Sequence, residues 1–450
     1  MSVNNKIIVM KFGGTSQKFS TYQMIRDKIS DCSKCSDFSD KKFVVVLSAI
    51  SGITNKLLKL TELNSQDVLK EIIDVNLNLS SESGVDISDL VSDFISEYAQ
   101  NVINGNLNQS ISIVSKGEFF TANILNRYLN SNGLKSCFIS SLDVIQSNLE
   151  NESFYNKGEF SVDGQKILSA LLENDVVVVP GFSGSTPGGS CCLLGRGGSD
   201  TTGSIIASAV NALLYEIWTD VNGIYTSDPR KVSGTRINNI IDYQAAQEVA
   251  AMGAKVIHPY CILPCASKSI PIHIKNTFNP TANTTVIYNN SDNNNVYAVT
   301  IQDGVKVFKI TSLNMWNNYG FVYDIFSVFK ENNVDINIIN TSQFNITTTT
   351  DESDLTILEK IKEKLEKKYQ VELLVDNSIV SIVGDNIRLN KNISWIFAIT
   401  KEYNIITTSY SSNDMSLSFV IDSSQSIDLT QKLHGQLFGN NTLEHTNIKL

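Results

Sequence analysis

Histidine is scarce in this chain, with four in 450 residues. So few imidazoles leave little material for histidine-based acid–base catalysis or for a histidine metal site. His258, placed between GAKVI and Pro259, reads as a structural histidine at a helix end. The chain also lacks a G-x-x-x-x-G-K-[ST] loop, an H-R-D and a D-F-G, which excludes P-loop and protein-kinase chemistry. GFSGS at 181–185 misses the spacing of a G-x-S-x-G hydrolase elbow. Long apolar runs are missing too: no stretch of about 18 apolar residues suggests a membrane span. The first nine residues do not have the basic-then-apolar pattern of a secretion signal, so a cytoplasmic protein is expected. Basic charge is in deficit, with 36 Lys and Arg against 46 Asp and Glu and a formal net charge of −10. That balance argues against sequence-independent nucleic-acid binding, which relies on basic surface. Any polyanionic ligand must therefore meet a local basic cluster. Seven cysteines, an odd number in a chain of this size, point to reduced thiols. The C-x-x-C of Cys32 and Cys35 has no second ligand pair at matching spacing and reads as a polar helix end.

Apolar residues make up 42% and charged residues 18%, the balance of a folded globular protein. The length suggests about two to four domains. Through the first 290 residues, short β-branched runs alternate with longer segments of helical spacing, which is α/β grammar. Residues 6–12, 43–47, 176–179 and 215–219 read as buried strands, each followed by a loop rich in glycine or small polar residues. In open α/β sheets the carboxyl ends of strands carry the ligand site. From about 60 to 112 the chain is polar, with Leu90, Phe94 and Tyr98 at helical spacing, and reads as an inserted helical subdomain. Between 276 and 295 the composition shifts to Asn, Thr and Ser, which places a domain boundary there.

Beyond it lies an internal repeat. IFSVFKENNV at 325–334 falls on IFAITKEYNI at 396–405 when the chain is slid by 71, with five of ten positions identical. Each copy runs from a helix into a strand, a polar turn, a second strand and a second helix. The strands are expected at 336–339 with 344–348, and at 405–408 with 416–421. Two small β-α-β-β-α-β units are the simplest arrangement.

Four segments carry chemistry: KFGGTS at 11–16, SKGE at 115–118, LGRGGSDTT at 194–202 and WTDVNGIYTSDPR at 218–230. Glycine pairs after a strand let backbone N–H groups approach an anion. Lys11 precedes one pair and Arg196 the other, so each candidate cradle also bears a fixed cation. Phosphoryl transfer requires such positioning and charge neutralisation.

Taken in order, KFGGTS, SGITN, SKGE, GFSG, GRGGSD, WTDVNGIYTSDPR and GAKVIHP resemble the aspartate kinases of the amino-acid kinase fold. The C-terminal repeats are similar to that family's paired ACT domains. The resemblance implies an α/β chain: a three-layer α/β/α sandwich over residues 1–288, then two α+β ferredoxin-like ACT domains at 296–376 and 377–450. It implies transfer of a phosphoryl group from MgATP to L-aspartate, with ATP and Mg2+ required and no protein ligands to magnesium identified. Lys11 would stabilise the transferring phosphoryl group, with Arg196 and Asp200 also catalytic. Ser48, Thr54, Glu118, Arg196, Ser199 and Asp200 would hold aspartate, Glu118 or Asp200 suiting its ammonium and Arg196 a carboxylate. Lys11, Phe12, Gly13, Gly14, Thr219, Asp220, Tyr225, Arg230, Lys255 and Val256 would meet the nucleotide, Tyr225 either by flanking adenine or by filling core.

Regulation by an amino acid, lysine or threonine, would fall on Met315, Asn318, Phe321, Asn337, Thr341, Ser342 and Gln343. The family's usual aspartate and a following acidic residue fall here on Asn337 and Gln343. A homodimer or homotetramer joined through the ACT domains is implied as well. The rivals are a sister kinase for glutamate, acetylglutamate, carbamate or a nucleotide, and an amino-acid sensor whose kinase domain is inactive.

Overall fold

The computed structural model describes residues 6–34, 41–107, 110–148, 159–254, 256–289, 295–312, 319–389 and 393–439. The chain divides into two compact bodies, one of residues 1–224, 239–243 and 256–289, the other of residues 225–238, 244–255 and 290–450. Cys35 lies outside the described residues.

In the first body eight described strands form one sheet. Their spatial order is Ile240–Ile241, Thr285–Ile287, Ile272–Asn276, Leu214–Thr219, Ile7–Phe12, Lys42–Leu47, Val176–Pro180 and Ser136–Phe138. The last six run parallel, and the first two run against them at one edge. The central strands read IIVMKF, KFVVVL and VVVVP, continuous apolar runs that suit a sheet covered on both faces. Alternation along the strand then decides which face each residue serves. Ile8, Met10 and Phe12 enter a core with Tyr22 and Ile25 of helix Phe19–Lys34 and Phe120 and Ile124 of helix Lys116–Ser131. Ile7, Val9 and Lys11 alternate to the other face, where helix Gly198–Ala209 packs. The layers are thus helix, sheet, helix.

Three helices, Ile53–Leu63, Gln66–Glu82 and Ser88–Ile103, form the helical insert, burying Leu57, Leu60, Ile72, Leu90, Phe94 and Tyr98 into the first core. A separate four-stranded sheet, in the order Phe160–Val162, Ile145–Ser147, Ser183–Ser185 and Cys191–Leu193, is drawn from segments that lie between the parallel strands Ser136–Phe138 and Leu214–Thr219 in chain order.

The second body is built on six antiparallel strands, in order Ile339–Thr341, Asn345–Thr350, Val296–Thr311, Gln370–Gly384, Ser416–Asp422 and Ile405–Tyr410. The two long central strands serve both repeats. Register shifts on either side of Val305, next to Gly304 with its φ of 75°, divide the first of them. Its second half pairs with 370–374 and its first half with 379–384, so the fourth strand of the second repeat comes from 296–302, ahead of the first repeat. Each repeat keeps its own core. Phe308, Ile325, Phe329, Ile346, Leu358 and Leu365 fill one; Val380, Ile396, Leu417, Phe419, Leu429 and Leu433 fill the other. The shift of 71 is preserved in burial, since Ile325 and Phe329 match Ile396 and Thr400, all buried.

One expected strand starts late. Residues 336–338 are irregular, and the strand begins at Ile339. Backbone pairing persists there, with the Asn337 N–H donating to the Thr349 carbonyl at 2.8 Å and the Thr349 N–H to the Ile338 carbonyl at 3.0 Å, while the Thr349 hydroxyl also takes the Ile338 N–H at 3.0 Å and the Thr348 hydroxyl also donates to the Ile338 carbonyl at 3.1 Å.

Leu433 is fully buried while Ile427, on the same helix Ser423–Phe438, is 49% exposed. Leu433→Ala is expected to cost about 2–5 kcal/mol in denaturant unfolding of the C-terminal body, and Ile427→Ala less than about 0.5 kcal/mol.

Candidate active site

Lys11 is the fifth residue of the strand Ile7–Phe12, on the face covered by helix Gly198–Ala209. That helix presents Asp200 in its first turn. The Lys11 ammonium and an Asp200 carboxylate oxygen meet at 2.5 Å, with only 10% and 16% of the two side chains exposed. An ammonium this deep requires a partner, and Asp200 supplies it. The Tyr215 hydroxyl donates to the Asp200 carbonyl at 2.8 Å and steadies the turn from beneath.

The strand leaves through Gly13 and Gly14. The Gly13 N–H donates to the Trp218 carbonyl at 3.0 Å, and the Gly14 carbonyl accepts from Ser51 N–H at 3.1 Å. A Cβ at Gly14 would stand 2.9 Å from the Ala49 carbonyl oxygen, so only glycine lets the two loops close on each other. Phe12 is fully buried and stacks on Trp218 with ring centroids 5.6 Å apart, so its side chain points into the core. Its backbone serves the turn, accepting from Ser48 N–H at 3.1 Å and the Gln17 amide at 3.2 Å.

Ser48 and Thr54 are half-buried on the loop and helix start that follow strand Lys42–Leu47. The Ser48 carbonyl accepts from the Thr121 hydroxyl at 2.9 Å, which ties this loop to helix Lys116–Ser131. Glu118 opens that helix, fully buried. The backbone N–H groups of Ala49 and of Glu118 itself serve its carboxylate, but Oε2 is buried with no hydrogen-bond partner among the described residues. Burial pushes the Glu118 carboxyl up to about 8, against the opposing pull of those N–H groups and of Lys11. A buried carboxylate oxygen without a donor beside a lysine is what an incoming ammonium would satisfy. Lys116 of the same motif is committed elsewhere, 2.6 Å from Glu97 of the insert.

Ser199 is buried and Arg196 exposed at the start of helix Gly198–Ala209. Between them Gly197 takes a φ of 68°, and a Cβ there would lie 2.4 Å from the His258 side chain. His258 therefore props the GRGGSD turn, in keeping with a structural histidine. Its burial, and Arg196 nearby, push its pKa down, while Asp200 pulls the other way. At the end of strand Leu214–Thr219, the Thr219 hydroxyl donates to Asp220 at 3.2 Å and the Thr219 carbonyl accepts from Thr277 N–H at 2.8 Å. Val256 is half-buried, and Lys255 lies outside the described residues.

Two other expected nucleotide residues belong to the second body. Tyr225 forms a β-bridge with Ile237 there, and Arg230 is 84% exposed and paired with Asp228 at 2.9 Å. In that body Asn337, Thr341, Ser342 and Gln343 are exposed at or beside the edge strand Ile339–Thr341, and Phe321 starts helix Phe321–Glu331. Met315 and Asn318 lie outside the described residues.

The sequence pattern of the Amino acid kinase family matches residues 6–276. The chain belongs to that family. The "Lysine-sensitive aspartokinase 3" of Escherichia coli is 27% identical over 458 residues, covering 96% of this chain and 100% of the relative. The crystal structure of E. coli aspartokinase III in complex with aspartate and ADP matches with a TM-score of 0.80 at 26% identity, over 96% of this chain and 100% of that one. The same enzyme in complex with lysine and aspartate matches with a TM-score of 0.77 at 26% identity, again over 96% and 100%. The likeness to the aspartate kinases read from the motifs therefore holds across both the kinase fold and the C-terminal regulatory domains.

Sequence reasoning passed over three residues of this amino acid kinase site. Gln17 donates to the carbonyls of Phe12 and Gly13 at 3.2 and 3.1 Å and so holds the glycine turn, but a lone glutamine after GGTS carries no signal. Tyr215 reads only as a buried strand residue. Phe182, inside the GFSG segment, has a φ of 72°, a conformation that costs a non-glycine residue energy. Its N–H donates to the Thr202 hydroxyl at 3.1 Å, which locks the loop to helix Gly198–Ala209.

Glu118 gives a pH signature. Its folded pKa, about 8, stands above the ordinary 4.5, so the unfolded chain binds fewer protons between those values and stability falls as pH rises across them. Glu118→Gln is expected to remove that slope, so that urea midpoints of variant and wild type, compared from pH 5 to 8, diverge in favour of the variant.

Proposed function

We propose that the chain is an aspartate kinase that transfers the γ-phosphoryl group of MgATP to the side-chain carboxylate of L-aspartate. What carries this assignment is one juxtaposition: the buried Lys11–Asp200 pair beside the unpartnered buried oxygen of Glu118. A fixed cation suits the phosphoryl group in flight, and an unsatisfied carboxylate suits the ammonium of an amino-acid acceptor. Arg196, whose guanidinium has no partner among the described residues, is available to grip a substrate carboxylate in bidentate fashion. We assign Ser48, Thr54 and Ser199 to the same substrate.

The chemistry asks little more of the protein. A substrate carboxylate with a pKa near about 4 is already ionised at neutral pH, so no general base is needed once it lies in line with the γ-phosphorus. Asp200 holds the Lys11 ammonium in place, and Lys11 neutralises charge that grows on the transferred group. We assign the nucleotide to the turn of Gly13 and Gly14, to Thr219, Asp220 and Val256, and to Tyr225, Arg230 and Lys255. Magnesium comes with the nucleotide, bound mainly by phosphate oxygens as this ion prefers. Among the described residues no group of three or more His, Cys, Asp or Glu is arranged to hold a metal ion, and no protein ligand to magnesium is assigned.

We assign catalysis to residues 1–288 and regulation to 296–376 and 377–450. Lysine or threonine acts there as a feedback effector, as suits an enzyme opening the route to lysine, threonine and methionine. Exposed Ile339–Thr341 offers a sheet edge for pairing two copies, and we place the enzyme in the cytoplasm.

The full chain incubated with MgATP, hydroxylamine and L-aspartate is expected to form aspartyl hydroxamate, and L-glutamate to give little. Product from glutamate alone would reassign the substrate. Lys11→Ala should lower kcat by about 10²–10³-fold with the fold intact by circular dichroism. Asn337→Asp, which restores a carboxylate for an ammonium effector, should lower the lysine concentration for half-inhibition about tenfold. An unchanged value would remove Asn337 from the effector site.

A further inference from the structure

The first body carries a second cluster of charge, across the sheet from Lys11. In register, Lys11 stands beside Ile217 and Phe12 beside Trp218, so Trp218 and Glu216 serve the face that Lys11 does not. That face is covered by helix Phe19–Lys34, and Trp218 shares its core with Phe12 and Ile25. On the neighbouring strand Ile272–Asn276, His273 pairs in register with Glu216 and Lys275 with Trp218. A cleft of about 530 Å³ opens here, lined by Gln23, Asp27 and Lys28 of the helix, by Trp218 and Lys275 of the two strands, and by Pro280. All of these residues belong to the first body.

Glu216 is the internal counter-charge of the cluster. It is 2% exposed, and one of its oxygens meets both the Lys28 and the Lys275 ammonium at 3.1 Å, while the other accepts from the Trp218 indole N–H at 2.9 Å. Burial by itself would raise the Glu216 carboxyl, but Lys28, Lys275 and that N–H outweigh it and hold the group below its ordinary range, so it is ionised at neutral pH. Both ammoniums also lie 5.3 Å from the centroid of the Trp218 ring, which stacks on Phe12. One carboxylate thus faces two ammoniums. The remaining ionisable groups do not close the difference. Asp27 is engaged by the Arg26 guanidinium at 2.7 Å, and His273, whose pKa is pushed down by burial and by Lys275, is neutral at neutral pH.

Each ammonium has three hydrogens and Glu216 takes one from each, so donors remain on both. The two lysine side chains are 24% and 21% exposed, open to the cleft but largely withdrawn from water. Because both stand 3.1 Å from the same oxygen, they are close enough together for one tetrahedral oxyanion to bridge them through charge-assisted hydrogen bonds. We propose that this cleft is an anion site separate from the Lys11 turn, taking a phosphate group, free or as a phosphomonoester, between Lys28 and Lys275. A chain of net charge −10 repels such a ligand over most of its surface, and a pair of lysines sharing one carboxylate supplies the local excess of cation that it needs. The site stands whether or not aspartate is the acceptor, since none of its residues is assigned to aspartate or the nucleotide.

The test is equilibrium dialysis of the full chain against radiolabelled inorganic phosphate, with chloride holding the ionic strength constant. Lys28→Ala and Lys275→Ala are each expected to weaken binding about tenfold, with the fold checked by circular dichroism. Gln23→Glu sets a carboxylate in the wall of the cleft without touching any partner of Glu216, and should weaken binding in the same direction even if a lysine variant fails to fold. Glu216→Gln removes the internal counter-charge and is expected to tighten binding about tenfold, a gain that a merely structural role for Glu216 would not produce. Lys11→Ala, on the other face of the sheet, should leave this binding in place. Competition by glycerol phosphate supports a site that accepts phosphomonoesters, and its absence supports one for the free ion. No bound phosphate, binding that disappears with Lys11→Ala, or binding indifferent to Gln23→Glu and to both lysine variants overturns the proposal.

Discussion

Placing a lysine ammonium at the end of a buried parallel strand, and keeping it charged, is the constraint around which the kinase body is arranged. Water cannot solvate Lys11 there, so a carboxylate must. Asp200 can do so only because helix Gly198–Ala209 packs on the odd-residue face of the strand and begins where the strand ends. That register in turn needs the Tyr215 hydroxyl under the turn, His258 pressed against a glycine at 197, and a Gly14 bare enough for the Ala49 carbonyl to approach. Each of these contacts lies outside the chemistry, and each sets where the charge sits.

Glu118 presents the complementary problem. A buried carboxylate is costly unless something pays for it, and two backbone N–H groups meet only part of the need. The remaining oxygen stays unsatisfied among the described residues, at a cost that a hydrogen-bond donor brought by a ligand would relieve. The helical insert contributes here indirectly: it packs against helix Lys116–Ser131 and holds Lys116 on Glu97, so the helix start that carries Glu118 is not free to turn outward.

The C-terminal body follows a different logic. Two repeats of nearly the same pattern share their two longest strands, and neither repeat closes its sheet without the other half of those strands. A segment of the kinase sequence is stitched into the same body through Thr226, Ser233 and Arg236. The segment 225–238 and the two repeats therefore belong to one compact body.

How much of this was legible beforehand varied with how local its cause is. Strands at 6–12, 43–47, 176–179 and 215–219 were readable because a strand buried on both faces must be apolar throughout, and the repeat at 325–334 and 396–405 was readable because equivalent positions fill equivalent cores. The glycine pairs, Lys11, Glu118, Arg196 and Asp200 stood out as residue types suited to phosphates and amino acids. The pairing of Lys11 with Asp200, 189 positions apart in sequence, did not, nor did the positive φ of Phe182 or the buttress from Gln17. Likewise nothing local announces that two threonine hydroxyls of a neighbouring strand bond Ile338 just ahead of the strand that begins at Ile339. By itself the sequence determined the elements, the repeat and the kinds of ligand the motifs can hold, since these follow from periodicity and side-chain chemistry along short stretches. Only the tertiary structure decided which charges meet, which strand completes the second repeat and to which body residues 225–238 belong, because those depend on contacts between residues far apart in the chain, for which no local pattern is required.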